Sequence, residues 1–212
     1  MSKHLKEIEQ KIIDFISAKE LISPKEKILL TLSGGADSVF MLSFFKKFQK
    51  KFKIELVALH VNHKLRGKNS DKDEMFCKVL CEKNEIPFYS FSVDVNKTSK
   101  LLKISLEEAG RFVRYNIFSK ALFELKFDKI ATAHNKNDNT ETVLFNMIKG
   151  TGIKGLCGIP IKRDKIIRPI LCLTKDEILH YLKENKIKFR EDSSNKDELF
   201  KRNYLRLKIL PQ

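Results

Sequence analysis

Apolar side chains at Leu5, Ile8, Ile12, Ile13, Phe15 and Ile16 form a stripe of helical period and predict a helix over 4–18. The pattern then changes. Ile28-Leu29-Leu30-Thr31-Leu32 is a short apolar run that predicts a strand over 27–32. Ser33-Gly34-Gly35-Ala36-Asp37-Ser38 follows it, and then a helix over roughly 37–50. Ile54 to Val61 is a second apolar run, suited to a strand buried on both faces. A polar, basic loop from Asn62 to Asp71 leads into a helix of about 71–84, and a strand near Phe88–Val93 follows Pro87. Ser105-Leu106-Glu107-Glu108 has the capping-box pattern and should start a long helix reaching about Lys126. Asp128 to His134 reads as another strand, with a helix from about Asp138 to Lys149.

Strands that alternate with helices at least four times predict an α/β fold: a doubly wound parallel sheet of about five strands with helices on both faces. Ligands bind such sheets beyond the carboxyl ends of the strands. The Ser33–Ser38 loop, the Asn62–Gly67 loop and the His134 segment all follow strands, so all three can line one crevice. Beyond Gly150 the texture changes: Gly150, Gly152, Gly155 and Gly158 mark a tightly turning crossing. A short strand at about 161–169, a helix at about 174–185 and a basic final helix from about Arg202 complete the pattern. The expected organisation is a nucleotide-binding domain over 1–158 and a small basic C-terminal α extension, 159–212, that completes it.

No apolar run approaches the ~18–20 residues that span a bilayer, and the polar start Met1-Ser2-Lys3-His4 lacks a signal-peptide core. The expectation is a cytoplasmic protein with no membrane partner. Its formal charge of +15 favours a polyanionic partner, and residues 151–212 carry 15 basic against 8 acidic side chains. Cys77, Cys81, Cys157 and Cys172 form no C-x-x-C pair and no zinc-site spacing, so free thiols in a reducing compartment are expected.

The chemistry concentrates after the first strand. Two glycines let the backbone turn and aim successive N–H groups at one anion, and the helix beginning near Asp37 directs the positive end of its dipole there. Ser33 and Ser38 can donate to phosphate oxygens, and Asp37 can hold Mg²⁺ against them. A plain glycine turn with a Ser/Asp helix cap is the simpler alternative. Unlike a Walker loop, the motif has no lysine to close it. It resembles the signature of the PP-loop ATP pyrophosphatases, which activate a substrate as its adenylate.

Further segments narrow the resemblance. They are His60-Val61-Asn62-His63-Lys64-Leu65-Arg66-Gly67, Glu107-Glu108-Ala109-Gly110-Arg111-Phe112-Val113-Arg114-Tyr115, and Ala133-His134 with Asp138 and Glu141-Thr142. Gly150-Thr151-Gly152-Ile153-Lys154-Gly155-Leu156, Arg168-Pro169-Ile170-Leu171, Asp192-Ser193-Ser194-Asn195 and Arg202-Asn203-Tyr204-Leu205-Arg206 follow in order. Together they resemble the tRNA(Ile)-lysidine synthetase family. The resemblance implies ATP and Mg²⁺ as cofactors, and as partners free L-lysine and a CAU-anticodon tRNA(Ile); it leaves a homodimer open. ATP would adenylate C2–O of the wobble cytidine with release of pyrophosphate, and the lysine amine would then displace AMP to leave lysidine.

On this resemblance Ser33, Gly34, Gly35, Ala36, Asp37, Ser38, His60 and Asn62 are expected to hold ATP, with Asp37 and Asp138 as metal ligands. Asp37, His134, Asp138 and Arg111 are the catalytic candidates, a structural histidine being the alternative for His134. Glu107 and Glu108 with Arg111 would read lysine, unless they form an exposed ion-pair ladder, and Arg114 would contact the lysine or tRNA substrate; Arg111 or Arg114 facing the triphosphate is a further option. His63, Lys64, Arg66, Arg202 and Arg206 would contact RNA, the plainer alternative for the first three being a solvated loop. Family members commonly show His-His-x-Asp-Asp-Gln where this chain has His134-Asn135-Lys136-Asn137-Asp138-Asn139. Three side chains are thus replaced by asparagine, which cannot carry charge or act as a base. The family's further C-terminal tRNA-gripping domains do not fall within these 212 residues. A cytidine thiolase shares the loop but needs a C-x-x-C cluster site. An ATP-binding module without turnover is the other alternative, and an amidotransferase-type ligase, which would need a glutaminase partner, is a third.

Overall fold

The computed structural model describes residues 3–65 and 67–190. Its elements are α1 (Lys3–Ala18), β1 (Lys27–Thr31), α2 (Ala36–Phe52), β2 (Glu55–Asn62), α3 (Lys68–Lys83), β3 (Phe88–Ser92) and α4 (Val95–Leu102). There follow α5 (Leu106–Glu124), β4 (Lys129–Ala131), α6 (Lys136–Ile148), α7 (Ile153–Leu156), β5 (Lys162–Arg163), β6 (Ile166–Ile167) and α8 (Lys175–Glu184). The described strands form one six-stranded sheet in the order β3-β2-β1-β4-β6-β5, parallel except for β5 against β6. The α/β doubly wound expectation therefore holds, with one strand more than expected.

The alternating side chains of β1 explain the two layers. Ile28 and Leu30 face a core built with α1, α2, α3 and α8, where Phe40 meets Tyr181 edge-on at 4.9 Å. Leu29 faces the other side and packs with Val113, Ile117 and Phe118 of α5. Each large apolar side chain fully buried in this way stabilises the fold by roughly 1.5–3 kcal/mol. Glu9 is buried between α1 and its neighbours, and it is satisfied there by Lys47 and by the Tyr181 hydroxyl at 2.6 and 2.7 Å.

Two elements depart from expectation. The stretch at 161–169 is a hairpin, not one strand: Asp164 takes a left-handed φ of 54°, and the chain doubles back to pair Arg163 with Ile166. Helix α4 was not anticipated. The Asp94 side chain caps it by accepting from the Lys97 N–H, and its Leu101 and Leu102 are left exposed, so it lacks a full core-facing stripe. The proposed final helix from Arg202 lies outside the described residues, as do Arg66, Arg202 and Arg206.

Strand order reverses between β1 and β4: chain progress from β1 runs outward through β2 and β3, then returns to β4 on the other flank. A doubly wound sheet opens a crevice at such a switch point. The segments that follow β1 and β4 form its two lips.

Candidate active site

The Ser33–Ser38 loop is closed by its own hydroxyls. Ser38 Oγ donates to the Gly35 carbonyl at 3.0 Å and accepts from the Ser33 N–H at 3.2 Å. Ser38 is therefore a buried tie within the loop, while Ser33 is exposed. No side chain caps the start of α2 at Gly35. The first-turn N–H groups of a 17-residue helix, free of a capping side chain, suit an anion. Gly34 has φ +88°, and a Cβ there would meet Cys77 Sγ at 3.3 Å and a Phe76 ring carbon at 3.4 Å. We expect Gly34→Ala to cost about 1–3 kcal/mol through backbone strain and crowding. Thermal denaturation should show the loss, and ATP titration a matching fall in affinity.

Asp37 stands in the first turn of α2, half-buried. Lys175, the first residue of α8, sets its ammonium 2.9 and 2.8 Å from the two carboxylate oxygens. Asn135 Nδ2 donates to the same carboxylate at 3.1 Å, bridging the two lips of the crevice. Sequence reasoning missed Lys175. The signal available was the loop's want of a lysine, but nothing local pointed 138 positions along the chain to its source.

The three asparagines each have a defined task. Asn135 caps α6 by accepting the Asp138 N–H, while Asp138 accepts the Asn135 N–H at 2.9 Å. Asn137 Oδ1 accepts the Lys175 N–H at 3.0 Å, locking the start of α8 to α6. Asn139 Oδ1 accepts the Ile159 N–H at 2.7 Å, beside Gly158, where a Cβ would collide with that oxygen. These tasks need a side-chain carbonyl acceptor and, at Asn135, an amide donor to Asp37, but no charge. A hollow of about 270 Å³ lined by Lys136, Asn137, Thr140 and Thr174 lies next to this junction. A larger apolar concavity of about 520 Å³ lies along Leu179, Leu182 and Phe189, and the next residue, Arg190, donates its N–H to the Gly34 carbonyl at 2.9 Å.

His134 is half-buried, with Nδ1 3.0 Å from Thr132 Oγ1. His60 is buried and its Nδ1 lies 2.8 Å from the Leu32 carbonyl oxygen, which fixes the ring across the ends of β1 and β2. Asn62 donates to Asp71 at 3.0 Å and to Glu74 at 2.7 Å, and accepts the Lys64 N–H. It braces the loop that follows β2. Lys64 pairs with Asp71 at 2.5 Å, which raises the ammonium pKa and lowers that of the carboxyl. Glu108 completes the capping box of α5 with Ser105, a contact that pulls its pKa down. Glu107 and Arg111 are exposed on the same helix, and Arg111 lies over the Tyr115 ring at 5.0 Å.

His63 Nδ1 is buried without a hydrogen-bond partner among the described residues. Burial first, then Arg114 and His60, hold its imidazole down at about 4, against an ordinary 6.5. Arg114 keeps exposed surface but is crowded by protein, and that desolvation lowers its pKa in turn. His63 is thus neutral at pH 7 and meets an arginine without repulsion. The unfolded chain takes up this proton below about 6.5, and the folded chain only below about 4. Stability should therefore fall as pH drops through that window, and His63→Gln should flatten the acid limb of Tm against pH.

The four cysteines are free thiols; Cys77 and Cys81 are buried, and burial pushes the Cys81 thiol up to about 12. Among the described residues no three His, Cys, Asp or Glu side chains gather as a metal cluster, and no helix is long and apolar enough to cross a membrane.

Residues 4–212 match the PP-loop domain family. The tRNA(Ile)-lysidine synthase of Caldanaerobacter subterraneus subsp. tengcongensis is 40% identical over 202 residues, 95% of this chain and 43% of that protein. The tRNA(Ile)-lysidine synthase of Clostridium perfringens is 43% identical over 205 residues, 96% of this chain and 44% of that protein. The chain thus spans less than half the length of these curated relatives. Among solved structures, a U34-tRNA thiolase from Methanococcus maripaludis with its 4Fe-4S cluster superposes with a TM-score of 0.74 at 23% identity, covering 89% of this chain and 65% of that one. An NH3-dependent NAD synthetase from Campylobacter jejuni gives a TM-score of 0.55 at 22% identity, over 100% of this chain and 88% of that one. At such identities these two structures bear on the fold alone.

Proposed function

The chain belongs to the PP-loop domain family, and on that footing we propose that it ligates L-lysine to C2 of the wobble cytidine, position 34, of a CAU-anticodon tRNA(Ile). The observation that carries this reading is the likeness of nearly the whole chain, at about 40% identity, to tRNA(Ile)-lysidine synthases. The geometry at the start of α2 supports this reading. The uncapped start of α2, the Ser33 hydroxyl and Asp37 line the switch-point crevice, where Asn135, the cap of α6, and Lys175 of α8 converge on Asp37.

In the first step cytidine O2 attacks the α-phosphorus of ATP, and the bond to pyrophosphate breaks. In the second the lysine amine attacks C2, loses its proton, and the C2–O bond breaks to release AMP. Charge that builds on the phosphates meets the amides of α2 and the ammonium of Lys175, held in place beforehand by Asn137 and Asp37. His134, at the end of β4, is positioned to take or relay the amine proton, with Thr132 fixing its ring. Asp37 is an oxygen donor beside phosphate, the chemistry Mg²⁺ prefers, so it would hold that ion, which supplies charge neutralisation to the triphosphate. Asp138 is engaged with the Asn135 N–H and stands behind Asp37 through Asn135. On this reading residues 159–212 complete the catalytic unit, the described part of them supplying β6 and α8.

The thiolase alternative calls for thiols that meet at a cluster; here Cys77 and Cys81 are core residues, and Cys157 is exposed on α7's C-terminal side. The test that separates the readings is AMP trapping. With ATP labelled on the α-phosphate and no lysine, label should pass to the RNA as an adenylate and pyrophosphate should appear; added lysine should then discharge the label as AMP, a step a thiolase would not make. ATP binding with neither product would leave only a binding module.

A further inference from the structure

Arg168 follows β6 directly and is 3% exposed. Its Nη1 donates to the Pro160 carbonyl oxygen at 2.5 Å, while its Nε–H is buried with no partner. A guanidinium offers five donors, and burying one with no carboxylate beside it is costly unless an anion completes the site. The Tyr115 phenol lies beside Arg168, whose charged neighbours are Arg111 and Arg163. Arg111 Nη2 reaches the same phenol at 3.4 Å, so both guanidiniums neighbour Tyr115. Arg163 pairs opposite Ile166, which packs into the α5-side core, so it faces α5 as well. None of the three arginines pairs with a carboxylate among the described residues. Lys162, Arg163 and Lys165 leave the hairpin exposed and basic.

We infer that the junction of the β5–β6 hairpin with α5 is an oxyanion subsite for a phosphodiester of the RNA strand, with Arg168 as its floor and Arg111 and Arg163 as its walls. The inference rests on the RNA-ligation reading and adds where the strand lies. The Thr132 N–H donates to the Ile167 carbonyl, so the subsite is one strand away from His134 and the crevice. An open rim of several cations suits a run of phosphates; a lone carboxylate needs only one fork. Arg111, expected from sequence to be catalytic, becomes a positioning residue for the RNA.

The test titrates a synthetic CAU anticodon stem-loop against the 212-residue chain at rising salt. Arg163→Gln should weaken binding and make the slope of log affinity against log salt shallower by about 0.7, the single-strand value for one phosphate contact. Arg168→Lys keeps the charge but loses the fork, so affinity should fall with the slope unchanged. Mg-ATP affinity should stay the same in both. One uncharged methylphosphonate in the stem-loop should abolish the effect of Arg163→Gln. An unchanged slope in Arg163→Gln, a change at an exposed residue, overturns the inference. So does a raised KM for lysine at unchanged RNA affinity, which would assign the site to the amino-acid carboxylate. If the unaltered chain fails to bind the stem-loop the subsite falls, while pyrophosphate release separately decides the fate of the RNA-ligation reading.

Discussion

Asp37→Asn should abolish both pyrophosphate release and lysine incorporation, a loss of roughly 10²–10³-fold or more. The Asp37 carboxylate meets the Lys175 ammonium and the Asn135 amide at the loop's mouth. Asparagine has nearly the same shape and still offers an oxygen to Asn135. It removes charge while leaving packing alone. The ion pair is partly exposed, so its loss should cost only about 0–1 kcal/mol of stability. An unchanged melting curve beside a dead enzyme is the expected pair of results. Full activity in this variant would remove Asp37 from the chemistry.

Lys175→Ala should be nearly as damaging, lowering pyrophosphate release by roughly 10²-fold. A Walker loop carries its own lysine; here the cation arrives from α8, and the Asn137 carbonyl fixes where that helix begins. Lys175→Arg should recover only part of the rate, because a planar fork does not replace a point charge at the same distance. A second readout separates this role from damage to the fold. Lys175 competes with Mg²⁺ for Asp37, so the alanine variant should reach its reduced maximal rate at lower Mg²⁺ than the parent chain. An unshifted Mg²⁺ dependence together with a full rate would contradict the assignment.

The elements that position these residues were legible because their patterns are local. The Ile28–Leu32 run, the glycine pair and the amphipathic stretch after them are contiguous, and the capping box at Ser105 is a four-residue signal. Helix α4 escaped because it packs beside α5 at the rim and leaves Leu101 and Leu102 exposed, so no core stripe advertises it. The β5–β6 hairpin escaped because two-residue strands carry no alternation to read. Within the site, the Lys175–Asp37 and Asn135–Asp37 contacts are long-range products of the sheet order. The asparagines were legible as departures in charge, but their work as backbone acceptors depends on which N–H groups the fold brings to them. Glu108 shows the converse. Its sequence context suggested both a cap and a substrate contact, and the structure places its carboxylate in the cap.

Where labelled lysine goes is the most direct test of the ligation. With Mg-ATP, the chain should transfer it to the wobble base of CAU-anticodon tRNA(Ile), raising the mass of that nucleoside by lysine less one water, and should leave elongator methionine tRNA unlabelled. ATP turnover with no lysine in the RNA, or equal labelling of both tRNAs, would contradict it.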